Sequence, residues 1–206
     1  MDKIELIKQA IEDAKNNKSK LTPDLLDLSG FTSHKIKHLL NNLGAISEKY
    51  FEIGLHKAST FICTLYGNDV KGIGVDNWSQ FEQDGLSKKI AYEKTAQCLS
   101  KEQYVIWERD CFSISELELR NVDMYNYDGE HGYENQKKGI TYFYPMMADE
   151  FILCVDDTSW EAPRKGTEDG IKEMNLEILF EEHLWDGKES GEWHNGFSVY
   201  LLKKRK

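Results

Sequence analysis

Cysteine is scarce and scattered in this sequence: Cys63, Cys98, Cys111 and Cys154 lie far apart, with no CxxC pair among them. That spacing excludes a zinc-ribbon type of site and the density of a disulfide scaffold, and it predicts buried or free thiols in a reducing cytoplasm. Long hydrophobic runs are also missing. No stretch approaches the roughly 20 apolar residues of a membrane-spanning helix. Met1 to Lys15 interleaves charged and aliphatic side chains where a secretory signal has an unbroken apolar segment. Positive charge is in deficit, since 26 Lys and Arg face 36 Asp and Glu for a formal net charge of −10. Such a field repels phosphate backbones and anionic lipid headgroups, so neither nucleic acid nor a membrane is an expected partner. Only three prolines interrupt a chain that is 40% hydrophobic, which is the profile of a packed protein. The 206 residues suit one domain: a helical cap over 1–46 and a core over 47–206.

Ile4, Ile7, Ile11 and Ala14 recur at helical spacing, so residues 3 to 16 read as an amphipathic helix. A linker leads to a second helix over 34–42, with Ser33 as its cap and Ile36, Leu39 and Leu40 as its stripe. From residue 49 short apolar runs alternate with helical segments. Strands are expected at 50–53, 72–75, 104–107, 122–127 and 151–155, and helices at 59–65, 86–99 and 133–146. This alternation indicates parallel βαβ units, hence a doubly wound α/β fold. After Gly170 two β-like runs, 174–180 and 197–202, follow one another with only a polar loop between them. They read as an antiparallel pair closing one edge of the sheet.

In an open α/β sheet ligands bind beyond the carboxyl ends of the strands, and those ends are acidic here. Glu52, Asp76, Asp110, Asp128 and the pair Asp156-Asp157 each sit at or just after a strand. Any one of them also suits a helix cap; five strands sharing the feature point to a site. A carboxylate after the second strand can accept both hydroxyls of a ribose. The turn after the first strand, Glu52 to Thr60, has neither the Lys-Ser/Thr ending of a phosphate loop nor the three glycines of a dinucleotide fingerprint. Its single Gly54 and small Ala58 and Ser59 permit a ligand without pyrophosphate to come close. In Asp128-Gly129-Glu130-His131 the histidine shares a tight turn with a carboxylate expected to face Asp156-Asp157, which makes it an acid–base candidate. Asp128, Asp156 and Asp157 together offer hard oxygen ligands for Mg²⁺ or Mn²⁺. Asp157 alternatively caps a helix beginning near Trp160. Tyr125, Tyr133, Trp160 and Trp193 are candidates for an acceptor platform, although such residues also fill cores.

Four segments carry a resemblance: Tyr50-Phe51-Glu52-Ile53-Gly54, Gly74 to Ser79, Asp128 to Glu134, and Val155 to Trp160. From about Ser29 to Lys203 the chain resembles class I S-adenosylmethionine-dependent methyltransferases, specifically the metal-dependent macrocin and mycinamicin O-methyltransferases. The resemblance implies a Rossmann-like, mostly parallel seven-stranded sheet with one antiparallel strand in its edge hairpin. It implies that Glu52, Gly54, Ser59 and Thr60 line the methionine end of the cofactor, with Asp76 at the ribose and Asp110 by the adenine. Asp128 is expected to reach both cofactor and metal. Asp156 and Asp157 complete the metal ligands, and His131 is the general base. A small-molecule or sugar acceptor is implied, and self-association is left open. Ala58 departs from the glycine often found there. A hydroxylase-like relative similar to the cephalosporin-modifying proteins and a non-catalytic cofactor- or partner-binding module are the alternative readings.

Overall fold

Strands and helices alternate through the chain much as the apolar pattern predicts, and the computed structural model describes residues 2–81, 85–189 and 191–205. The chain ends Met1 and Lys206, which bound the expected 1–206 domain, lie outside them. Helix α1 spans Lys3–Lys15, α2 Pro23–Leu26 and α3 His34–Gly44. Ser33 caps α3 as expected, its hydroxyl accepting from Ile36 N at 3.2 Å. The expected linker contains α2, whose Pro23 sits in the first turn, where its missing N–H costs nothing.

The core follows as β1 Lys49–Ile53, α4 Ser59–Leu65, β2 Lys71–Asp76, α5 Leu86–Cys98, β3 Tyr104–Glu108 and β4 Val122–Tyr127. Then come α6 Tyr133–Phe143, β5 Met147–Val155, α7 Glu161–Glu173, β6 Glu177–Leu184 and β7 Phe197–Lys203. Several boundaries differ from the sequence expectation, three of them for a clear physical reason. α6 stops at Phe143, not Met146, because a 3-10 turn forms around Pro145, which cannot donate in a helical ladder. β5 begins at Met147, not Phe151; its first residues are partly exposed and escape an apolar pattern, yet Met147 pairs with Val122. β6 begins at Glu177 rather than Met174, because Met174 ends the preceding helix.

The seven strands lie in the order β3-β2-β1-β4-β5-β7-β6. β1 to β5 pair in parallel, and β7 inserts antiparallel between β5 and β6. Side chains alternate across the sheet as strand geometry demands. Tyr50 packs into one apolar layer with Ile7, Leu39 and Phe61, while Phe51 and Ile53 pack into the other with Ile140, Phe143 and Ile171. α1 and α3 thus belong to one face of the sheet. Buried Lys37 ties α3 to the chain after α2 by donating from Nζ to Leu26 O and Leu28 O, both at 2.6 Å. That tie places Gly30 to Thr32 over the strand ends. The strand order reverses between β1 and β4, with the chain progressing to one side of the sheet from β1 and to the other from β4, which opens a crevice there.

Candidate active site

The crevice forms because the turn after β1 lies against the end of β4. Asp128 N donates to Ile53 O at 3.0 Å, and Gly54, at φ +88°, comes so close that an added Cβ would stand 1.7 Å from Asp128 O. Only glycine fits both the left-handed backbone and the approach. The result is a floor of bare backbone. Ser59 and Thr60 line the cavity above it, as expected. Glu52 is not among the lining residues: strand alternation puts it on the Tyr50 face, fully buried, where it accepts from the Tyr50 hydroxyl and from Thr60 Oγ1 at 2.7 Å. Burial pushes its carboxyl up to about 7, against the lowering effect of those hydrogen bonds. Glu52 therefore supports Thr60 from behind. Ala58 precedes α4 at φ +61° and is buried, so the chain keeps here a backbone that suits glycine while carrying a methyl group.

Asp76 ends β2 and lines the cavity. Its Oδ2 accepts from His56 N at 2.8 Å and its Oδ1 from Trp78 N at 2.6 Å. These bonds fix the carboxylate, and each oxygen keeps lone-pair capacity for a ligand. Asp110 follows β3; its Oδ1 accepts from Phe112 N at 2.9 Å, capping a 3-10 turn, and it also lines the cavity.

The ends of β4 and β5 form an acidic corner around His131. Its Nε2 lies 3.6 Å from Asp128 Oδ1 and 3.3 Å from Asp157 Oδ2. Burial and the neighbouring Asp156 hold the Asp128 carboxyl well above the usual range, and burial and Asp157 do the same to Asp156. Burial lowers the imidazole pKa of His131, opposed by the attraction of Asp157 and Glu130. Asp156 is 5% exposed, and its Oδ1 has no hydrogen-bond partner. Asp157, at φ +56°, accepts from Asn195 Nδ2 at Oδ1, 2.9 Å away. It is not a side-chain cap, because α7 begins after Trp160 without one. Among the described residues no three of His, Cys, Asp and Glu are gathered to hold a metal ion. The three expected ligands line one cavity, with Asp157 turned toward Asn195 and His131. Asp128 and Asp156 offer hard oxygen donors of the kind a divalent cation takes, and Asp156 Oδ1 has no hydrogen bond.

These groups share one cavity of about 600 Å³, with Asp76 and Asp110 on the β2–β3 side and Asp156 and His131 on the β4–β5 side. Of the four aromatic candidates only Trp160 lines it: Tyr125 and Trp193 are buried in the core, and Tyr133 donates to Asp169. Sequence reasoning missed His194 and Asn195, which reach the cavity from the β6–β7 loop. That loop is bolted to the acidic turn through Ser159 N to Asn195 O, 2.9 Å, and Thr158 N to Gly196 O, 3.1 Å. Gly196, at φ +86°, passes so close that a Cβ would meet Ser159 N at 2.7 Å, and its glycine is the one signal present in the sequence. Also missed were Phe31 and His56, whose rings stack at 4.8 Å on the cavity wall.

No protein-family profile matches the chain. A search of curated proteins also finds no match. Solved structures do resemble it. An O-methyltransferase from Bacillus cereus, in complex with S-adenosylhomocysteine, aligns over 98% of this chain and 92% of its own with 12% identity and a TM-score of 0.61. The O-methyltransferase TomG from Streptomyces achromogenes, involved in tomaymycin synthesis and bound to S-adenosylmethionine, aligns over 97% and 90% with 14% identity and a TM-score of 0.60. A candidate RNA methyltransferase from Pyrococcus horikoshii aligns over 99% and 97% with 12% identity and a TM-score of 0.61. With its seven-stranded sheet and single inserted antiparallel strand, the chain has the Rossmann-like methyltransferase fold.

Proposed function

We propose that the chain is an S-adenosylmethionine-dependent methyltransferase acting on a hydroxyl oxygen of a small molecule or sugar, with Mg²⁺ or Mn²⁺ assisting. The observation that carries this reading is the order of groups along one cavity. A fixed carboxylate stands at β2, bare glycine backbone at β1, and an imidazole among buried acids at β4 and β5. When bound, the cofactor supplies a methyl group on a positively charged sulfur. Asp76 has the oxygens to accept from its ribose hydroxyls, and Asp110, which lines the same cavity, would lie beside the adenine. Gly54 leaves room for the methionine end, with Ser59 and Thr60 beside it. Asp128 and Asp156 would hold the metal ion, which would supply the charge that acidifies the acceptor hydroxyl.

His131 then takes the hydroxyl proton at Nε2, the nitrogen facing Asp128 and Asp157. Its lowered pKa keeps it neutral and ready at pH 7. Asp157, held by Asn195, stabilises the imidazolium that results. Asp156 and Asp157 are buried, and the low local dielectric there strengthens the attraction between a developing oxyanion and a cationic methyl donor. An RNA acceptor, as in the Pyrococcus neighbour's description, is disfavoured by the six carboxylates lining the cavity.

The test is transfer itself. The protein is incubated with methyl-labelled S-adenosylmethionine, Mg²⁺ and the small-molecule fraction of a cell extract, and products are read by mass spectrometry. The expected result is a compound gaining one labelled methyl group, lost with His131→Ala. Cofactor binding without any labelled product would favour the non-catalytic module.

A further inference from the structure

The cavity walls carry more acidic than basic side chains. Asp76, Asp110, Asp128, Glu130, Asp156 and Asp157 line it against a single guanidinium, Arg109, and no lysine is among the lining residues. Arg109 is itself engaged, with Nη1 2.8 Å from Glu118 Oε1 and its plane over Trp107. With Asp128 and Asp156 engaged by a divalent ion, Asp76, Asp110, Glu130 and Asp157 face a cofactor of one net positive charge, which leaves three carboxylates uncompensated. A second observation is independent of that count. Asp156 lines the cavity at 5% exposure with Oδ1 unpartnered, and a buried carboxylate oxygen without a donor is costly until a ligand brings one. Trp160 supplies the third element. Its indole, 43% exposed, lines the cavity edge-on to His131 with ring centroids 6.2 Å apart. An indole beside carboxylates is a recurrent receptor for organic ammonium ions.

Building on the methyltransferase reading, we infer that the acceptor is a cation: a small molecule whose ammonium group lies between the Trp160 indole and the carboxylates of the acidic corner. The hydroxyl to be methylated lies beside it at His131. A divalent ion at Asp128 and Asp156 meets the open oxygen without reversing the sign of the field, so the preference persists with Mg²⁺ bound.

The experiment uses three probes of one shape and three charges: dopamine, 4-ethylcatechol and 3,4-dihydroxyphenylacetate. Each is titrated by calorimetry into the full chain saturated with S-adenosylhomocysteine, with Mg²⁺ and with chelator. One uncompensated carboxylate near the ligand at an effective dielectric of about 20 corresponds to about tenfold or more in affinity per unit of ligand charge. Dopamine should therefore bind about tenfold tighter than the neutral probe, and the carboxylate probe weakest, with the gaps shrinking in high salt. Trp160→Leu should narrow the gap between dopamine and 4-ethylcatechol. Equal affinities, a preference for the carboxylate probe, or no binding of dopamine would overturn the inference. If S-adenosylhomocysteine fails to bind but the charge order holds, the methyltransferase reading falls and the cation site stands.

Discussion

Replacing Glu52 with Gln isolates the energetics of one buried carboxyl under the cofactor cavity. Glu52 is wholly inaccessible, accepts from Tyr50 and Thr60, and has its pKa raised from 4.5 to about 7, chiefly by burial. The folded protein therefore keeps this proton to about pH 7, whereas the unfolded chain releases it near the ordinary glutamate value. The resulting stabilisation is fully present below pH 4.5 and is lost as pH rises through 7. The interval corresponds to roughly 3 kcal/mol. Glutamine keeps the size and the hydrogen-bonding capacity but does not titrate. Urea unfolding followed by circular dichroism at several pH values between 4.5 and 8 should show the parent losing about 3 kcal/mol relative to Glu52→Gln across that range. Glu52 is one of the charges that raise the pKa of Asp128 and Asp156, so the difference reports Glu52 together with its coupling to that pair. Parallel stability curves would refute the reasoning and show that Glu52 is solvated or paired with a cation.

Three further outcomes are expected. His131→Ala should reduce turnover by about 10²–10⁴-fold while leaving cofactor affinity nearly unchanged; in the parent the acid limb of the rate should fall below the ordinary imidazole pKa, since burial lowers that of His131. A chelator should stop turnover without displacing the cofactor, and Asp156→Asn should weaken Mg²⁺ binding in a direct titration; full activity in chelator would assign the acidic pair a metal-free role. Ala58→Gly relieves a left-handed backbone worth about 1–2 kcal/mol at the cost of about 0.4–1 kcal/mol of chain entropy. It should therefore raise stability slightly, which thermal unfolding can read.

Most of the sheet was legible because buried parallel strands write continuous apolar runs. Phe151 to Val155 is the clearest, and all five residues are buried. α7 was hard to see because Glu161 to Glu173 is polar apart from a narrow stripe ending in Gly170 and Ile171, and its C-cap Met174 fell within the expected β6. The acidic site was readable at Asp76, Asp110, Asp128 and Asp156 because strand ends are places the pattern defines. Glu52 escaped its expected place because alternation turns its side chain away from the cavity, toward Tyr50 and Thr60. His194 and Asn195 were invisible for another reason. They enter the site only through the insertion of β7 beside β5, a tertiary pairing that no local spacing encodes.

The central claim is that this cavity takes S-adenosylmethionine with Asp76 at the ribose, and calorimetric titration with S-adenosylhomocysteine tests it most directly. The account predicts a single binding site in the parent protein. Asp76→Ala, checked by thermal unfolding to be folded, should lose about 1.5–3 kcal/mol for each charge-assisted hydrogen bond removed. No heat of binding in the parent, or unchanged affinity in Asp76→Ala, would contradict it.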